Sequence, residues 1–97
     1  MKIRYYCIYD HSLKRANFPF AAYDDGEAKQ TVRNMLLSFD GDTAAILPKI
    51  REHCDVRYCG SFDPESGVFK LDELVGATVF DLSEDTFPGI NFKKESD

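Results

Sequence analysis

The stretch KIRYYCIYD, residues 2–10, decides how the rest of the chain is read. Successive side chains of a strand point to opposite faces. Ile3, Tyr5, Cys7 and Tyr9 therefore share one face, and Lys2, Arg4, Tyr6, Ile8 and Asp10 share the other. The first set reads as core. The second mixes cations with an aromatic and an aliphatic residue. That composition is too apolar for an idle surface and too cationic for a core.

Working outward, DHSLKRAN (10–17) reads as a polar loop. FPFAAY (18–23) reads as an edge segment, because Pro19 lacks a ladder donor. Asp24 and Asp25 offer N-caps whose charge suits the positive end of a helix. The apolar positions Ala28, Val32, Met35, Leu36 and Phe39 repeat at helical spacing, which predicts one amphipathic helix over about 25–38. Met35 and Phe39 are expected on its inner arc, with Gly41 as a C-terminal stop. Pro48 fits the first turn of a short helix near 48–53. In DVRYCGSF (55–62), Val56, Tyr58, Gly60 and Phe62 are read onto one face, and Arg57 and Cys59 onto the other. DPESG (63–67) supplies Asp, Pro and Gly where a turn wants them, and VFKL (68–71) returns as the partner strand of a hairpin. A further strand or turn is expected within 74–81.

The predicted fold class is α+β. A small antiparallel sheet, made of the N-terminal strand, a short edge segment and a C-terminal hairpin, is covered on one face by a single helix. Residues 1–82 form the expected domain, and 83–97 an acidic, loosely ordered tail. The leftover sheet face is expected to carry Arg4, Tyr6 and Ile8, with Arg57 and Cys59 if the strands pair in phase.

The chain has 97 residues, 43% hydrophobic and 30% charged, which suits one soluble domain. No apolar run approaches the ~20 residues needed to cross a bilayer, and no secretory leader is visible. Cys7, Cys54 and Cys59 make an odd count, which argues against a closed disulfide framework and for a reducing compartment. The net charge of −5 opposes bulk attraction to nucleic acid, but its distribution is uneven. The first twenty residues carry a net +3 and residues 72–97 a net −5.

Motifs for catalysis are lacking: no GxSxG, P-loop, HExxH or GxGxxG occurs. A zinc site from Cys7, His11, Cys54 and Cys59 lacks the CxxC clamp, so no metal and no cofactor are expected. Cys59 with His53 as base has nothing to organise an oxyanion hole. No catalytic residue is assigned. What stands out is the basic, aromatic head. Lys2, Arg4, Tyr6, Lys14 and Arg15 match the pairing of cations with stacking rings that single-stranded nucleic acid requires. Tyr6 and Ile8 are also candidates for a homodimer interface.

The ordered set of short motifs resembles the small nonstructural protein family of gokushoviruses, the microvirus branch of single-stranded DNA phages. The pieces are Tyr9-Asp10 at a strand end, Pro19-Phe20, a helix with Ala28 and Arg33, GSFD (60–63), Ser66-Gly67 and Gly76-Ala77. They run in order over about residues 5–78. DTAAILPKIREHC (42–54) and the acidic end after Leu82 depart from the pattern. The resemblance implies a non-enzymatic protein of the host bacterial cytoplasm, absent from the virion, that assists single-stranded DNA replication or packaging. Its implied partners are single-stranded DNA and a phage or host replication protein. The competing expectation is a homodimeric interaction module that targets a host or phage factor without touching DNA.

Overall fold

The computed structural model describes residues 2–71 and 75–92. Strand β1 (Ile3–Asp10) turns tightly into β2 (Arg15–Ala22). Helix α1 (Asp25–Leu37) follows, then a 3-10 helix (Gly41–Ile46) that runs into α2 (Leu47–His53). Strand β3 (Cys54–Asp63), β4 (Val68–Lys70) and β5 (Thr78–Asp81) complete the elements among the described residues. Every strand pair is antiparallel. The order is β2-β1-β3-β4, with β5 pairing the other end of β3. The fold is α+β; the covering helix α1 and the short helix read near 48–53 (α2) both form, and the 3-10 helix is the addition.

Local chemistry explains the boundaries. The Asp24 side chain accepts a hydrogen bond from the Glu27 amide at 2.8 Å, while the Tyr23 amide donates to Glu27 at 3.0 Å. This reciprocal cap fixes the start of α1. The helix ends at Leu37, with Ser38 as its cap, rather than at Gly41. Gly41 instead opens the 3-10 helix with a φ of +52°. Pro48 sits in the first turn of α2, where no amide donor is missed. Asp63 accepts the Gly67 amide at 2.7 Å, closing the β3–β4 turn.

The core lies on one face of the sheet. Tyr6 and Ile8 of β1, Ala22 of β2, and Val56 and Tyr58 of β3 meet Ala28, Val32 and Leu36 of α1 and Leu47 and Ile50 of α2. The phase of β1 is therefore opposite to the sequence reading: Tyr6 is 0% exposed and Ile8 3%. Both faces of β1 are apolar enough to bury, so alternation alone carries no phase. Register supplies it. Tyr6 lies opposite Tyr58, and Ile8 opposite Val56. A bulge at Cys59 then shifts the register, so Tyr5 lies opposite Gly60 and Ile3 opposite Phe62. The single face read for Val56, Tyr58, Gly60 and Phe62 is split by that bulge.

The tail reading needs correcting for 83–92. Leu82, Phe87 and Phe92 are each 1% exposed, and Ile90 5%, all in the core cluster. Arg33 donates to the Pro88 carbonyl at 2.6 Å, Lys29 lies over the Phe87 ring, and Arg51 pairs with Glu84 at 2.9 Å. The acidic, aromatic composition that suggested a solvated segment is an amphipathic strap. Its rings face the core, and two of its backbone and side-chain acceptors meet helix cations. Residues 93–97, also assigned to the tail, lie outside the described residues, as does residue 74 of the strand or turn expected at 74–81. Within that region β5 forms at Thr78–Asp81.

Candidate functional site

With Tyr6 and Ile8 under α1, the face left over is the other one. Ile3, Tyr5, Cys7 and Tyr9 of β1, with Asp55, Arg57, Cys59 and Phe62 of β3, contribute nothing to the core cluster. Ile3, Tyr5, Tyr9, Arg57, Cys59 and Phe62 are half-buried. This outer face divides into three parts.

At one end Tyr5 packs on Phe69 of β4, ring centroids 5.5 Å apart. Phe69 is 47% exposed. Its ring lies against Gly60, where a Cβ would come within 2.7 Å of Phe69 Cε1 and 2.8 Å of the Lys70 carbonyl. Gly60 also holds a φ of +147°, so both space and backbone require glycine there.

In the centre Cys7 and Cys59 are neighbours on the paired strands β1 and β3. Burial, and then this neighbour, push the Cys7 thiol up to about 12. Cys54, the third cysteine, packs against the core at the β3 start, and burial pushes it up to about 11.

At the far end Arg57 lies 4.3 Å over the Tyr9 ring and donates to Asp55 at 3.0 Å. Asp55 also pairs with His11 at 2.8 Å and accepts from Thr78 at 3.1 Å. Burial alone would raise the Asp55 carboxyl. The His11 and Arg57 hydrogen bonds and the Arg57 charge outweigh it and hold the group below its ordinary value. The network ties the β1–β2 turn, β3 and β5 together and holds the Arg57 guanidinium over the Tyr9 ring.

The five residues assigned to nucleic acid from sequence are not brought together. Tyr6 stacks on Phe20 at 5.5 Å, and its hydroxyl donates to Asp25 at 2.7 Å. Being fully buried, Tyr6 offers no face to a base, and Tyr6 and Ile8 offer none to a second subunit. Arg4 is held on the helix side by Asp25 at 3.1 Å and over the Tyr58 ring. Lys14 and Arg15 lie beyond Asp10, six residues from Arg4, or about 20 Å along a strand. Lys2 is exposed just before β1. The reading from sequence missed Tyr5, Tyr9, Asp55, His11 and Phe69. The signal for them was the Gly60 that follows an apolar alternation, since a glycine inside a strand marks a bulge or a close approach.

Among the described residues, no group of three or more metal-ligating side chains occurs, and the imagined Cys7, His11, Cys54, Cys59 set does not converge. No helix among them is long and apolar enough to cross a membrane. Comparison with protein-family models, curated proteins and solved structures finds no significant match.

Proposed function

We propose that this protein is a non-enzymatic accessory protein of a single-stranded DNA phage, acting in genome replication or packaging in the host bacterial cytoplasm. It works by holding single-stranded DNA on the outer face of its sheet. The observation that carries the mode of binding is the row of rings there. Tyr5 and Tyr9 of β1 and Phe69 of β4, which reaches Tyr5 across Gly60 of β3, stand on one face of a sheet whose opposite face is filled by core. Rings at such positions are what sheet-based single-strand binders use to stack successive bases. The resemblance in Tyr9-Asp10, Pro19-Phe20, GSFD and Ser66-Gly67 supports the phage context.

The electrostatics set the character of the binding. Arg57 is the cation of that face, and Asp55 neutralises it. The whole chain carries −5. Stacking therefore contributes most of the affinity, helped by Lys14, Arg15 and His11 beyond the Tyr9 end. A labelled oligonucleotide titrated across a salt series tests this. Affinity should fall with a shallow slope of about one to two neutralised phosphates, each contributing roughly 0.7 to the log–log slope for a single strand. Tyr9→Ala should weaken binding by about 1–3 kcal/mol, as loss of one stacked base does. An absence of binding at low salt rejects the reading.

A second reading is favoured by one observation. The Ile3, Tyr5, Phe62 and Phe69 end is apolar and poor in cations, which suits a protein surface better than phosphate. On that reading the protein is a homodimeric or host-directed interaction module. A dimer by light scattering, with no oligonucleotide binding, distinguishes it.

A further inference from the structure

The Cys7 and Cys59 thiols form a structural pair that the proposed binding does not use. Cys7 lies opposite Arg57, and Cys59 is the extra residue of the bulge between the Tyr6–Tyr58 and Tyr5–Gly60 pairings. Alternation along β3 puts Arg57 and Cys59 on the outer face with Cys7, and Cys59 lies close enough to raise the Cys7 thiol. Cys59 is half-buried, so a small oxidant reaches it, whereas Cys7 is 6% exposed. Cys54 cannot join them. It packs against the core, and five residues of extended β3, about 17 Å, separate it from Cys59.

We propose that Cys7 and Cys59 are a peroxide-oxidised dithiol site that closes to a disulfide across β1 and β3. A hydroperoxide oxidises Cys59 to the sulfenic acid and is itself reduced to the alcohol, or to water from hydrogen peroxide. The Cys7 sulfur then attacks the sulfenic sulfur. The S–S bond forms, the S–O bond breaks, and the sulfenic oxygen leaves as water with the Cys7 proton. The Arg57 guanidinium opposite Cys7 only partly offsets the burial that holds the Cys7 proton, and that proton leaves with the sulfenic oxygen as the S–S bond forms. The product pins β1 to β3 midway between the Tyr5–Phe69 and Tyr9–Arg57 ends. The inference stands on the thiols alone and does not depend on what binds the face.

The test uses the full chain treated with hydrogen peroxide, then denatured, alkylated and peptide-mapped. The expected result is a monomer lighter by about 2 Da, the two lost hydrogens. One crosslinked peptide pair should contain Cys7 and Cys59, and Cys54 should remain alkylatable. Cys54→Ser should keep the mass loss and Cys59→Ser, at a half-buried position, should abolish it. Three alkylatable cysteines after oxidation, or a bond to Cys54, or a bond formed only between chains, would overturn the proposal.

Discussion

On the inner face of the sheet Tyr6 and Ile8 vanish beneath α1 and the 82–92 strap. On the outer face of the same strand Tyr5 and Tyr9 keep part of their surface. The residue types are nearly the same on both sides. The difference is made by neighbours: a helix and an aromatic strap cover one face, and a bulge, a glycine and a carboxylate-centred network organise the other. Apolarity therefore marks both the core and the candidate working face of this strand, and register with β3 tells them apart.

The sharpest way to break that contrast is to attack the strap. Phe87 packs edge-on against Phe80 at 5.8 Å and is almost fully buried. Phe87→Ala should lower stability by about 3–5 kcal/mol in denaturant unfolding, the range for buried aromatics. Deleting 83–97 should abolish cooperative unfolding. A truncated chain that still unfolds cooperatively at near wild-type stability would return 83–92 to the status of a dispensable tail.

Tyr6 should come next. Its hydroxyl hydrogen-bonds the Asp25 carboxylate, and loss of a bond to a charged group costs about 1.5–3 kcal/mol, so Tyr6→Phe should destabilise by that amount. Burial, with the Asp25 hydrogen bond, pushes the phenol up to about 12. The folded state thus keeps a proton that the unfolded chain releases near 10. Its contribution is fully present below that pH and fades as pH rises toward 12. The Cys7 and Cys54 thiols act with the same sign from about pH 9 upward. Thermal melts from pH 8 to 12 should show falling stability, with a shallower fall for Tyr6→Phe. A slope unchanged by the substitution would place the effect elsewhere.

A smaller effect is expected on the outer face. Gly60→Ala meets Phe69 and the Lys70 carbonyl and holds a glycine-favoured φ, which should cost about 1–3 kcal/mol. Pairing it with Phe69→Ala removes the ring but leaves the φ and the carbonyl. Partial rescue in the double variant is expected, and complete additivity would mean the two residues do not touch.

Much of the fold was legible in the sequence, for identifiable reasons. Asp24 and Asp25 announce the α1 start, Pro48 places α2, and Asp63-Pro64 with Gly67 sets the hairpin turn. The phase of β1 was not legible, because Tyr and Ile populate both faces. The bulge had one signal, Gly60 inside the strand, but Cys59 extends an unbroken alternation and the paired strand is needed to place the extra residue. The strap was misread because its acids dominate the composition while Phe87, Ile90 and Phe92 decide its packing. The candidate site suffered from the phase error directly. Arg57 and Cys59 were assigned to the leftover face, whereas Tyr5, Cys7 and Tyr9 were assigned to the core.

The central claim is that the outer face is where this protein meets its partner. Backbone amide shifts recorded while a short single-stranded oligonucleotide is added test it most directly. The account predicts perturbations that cluster at Tyr5, Tyr9, Arg57, Cys59 and Phe69, with α1 silent. Perturbations confined to α1 or to the strap, or none at low salt, would contradict it.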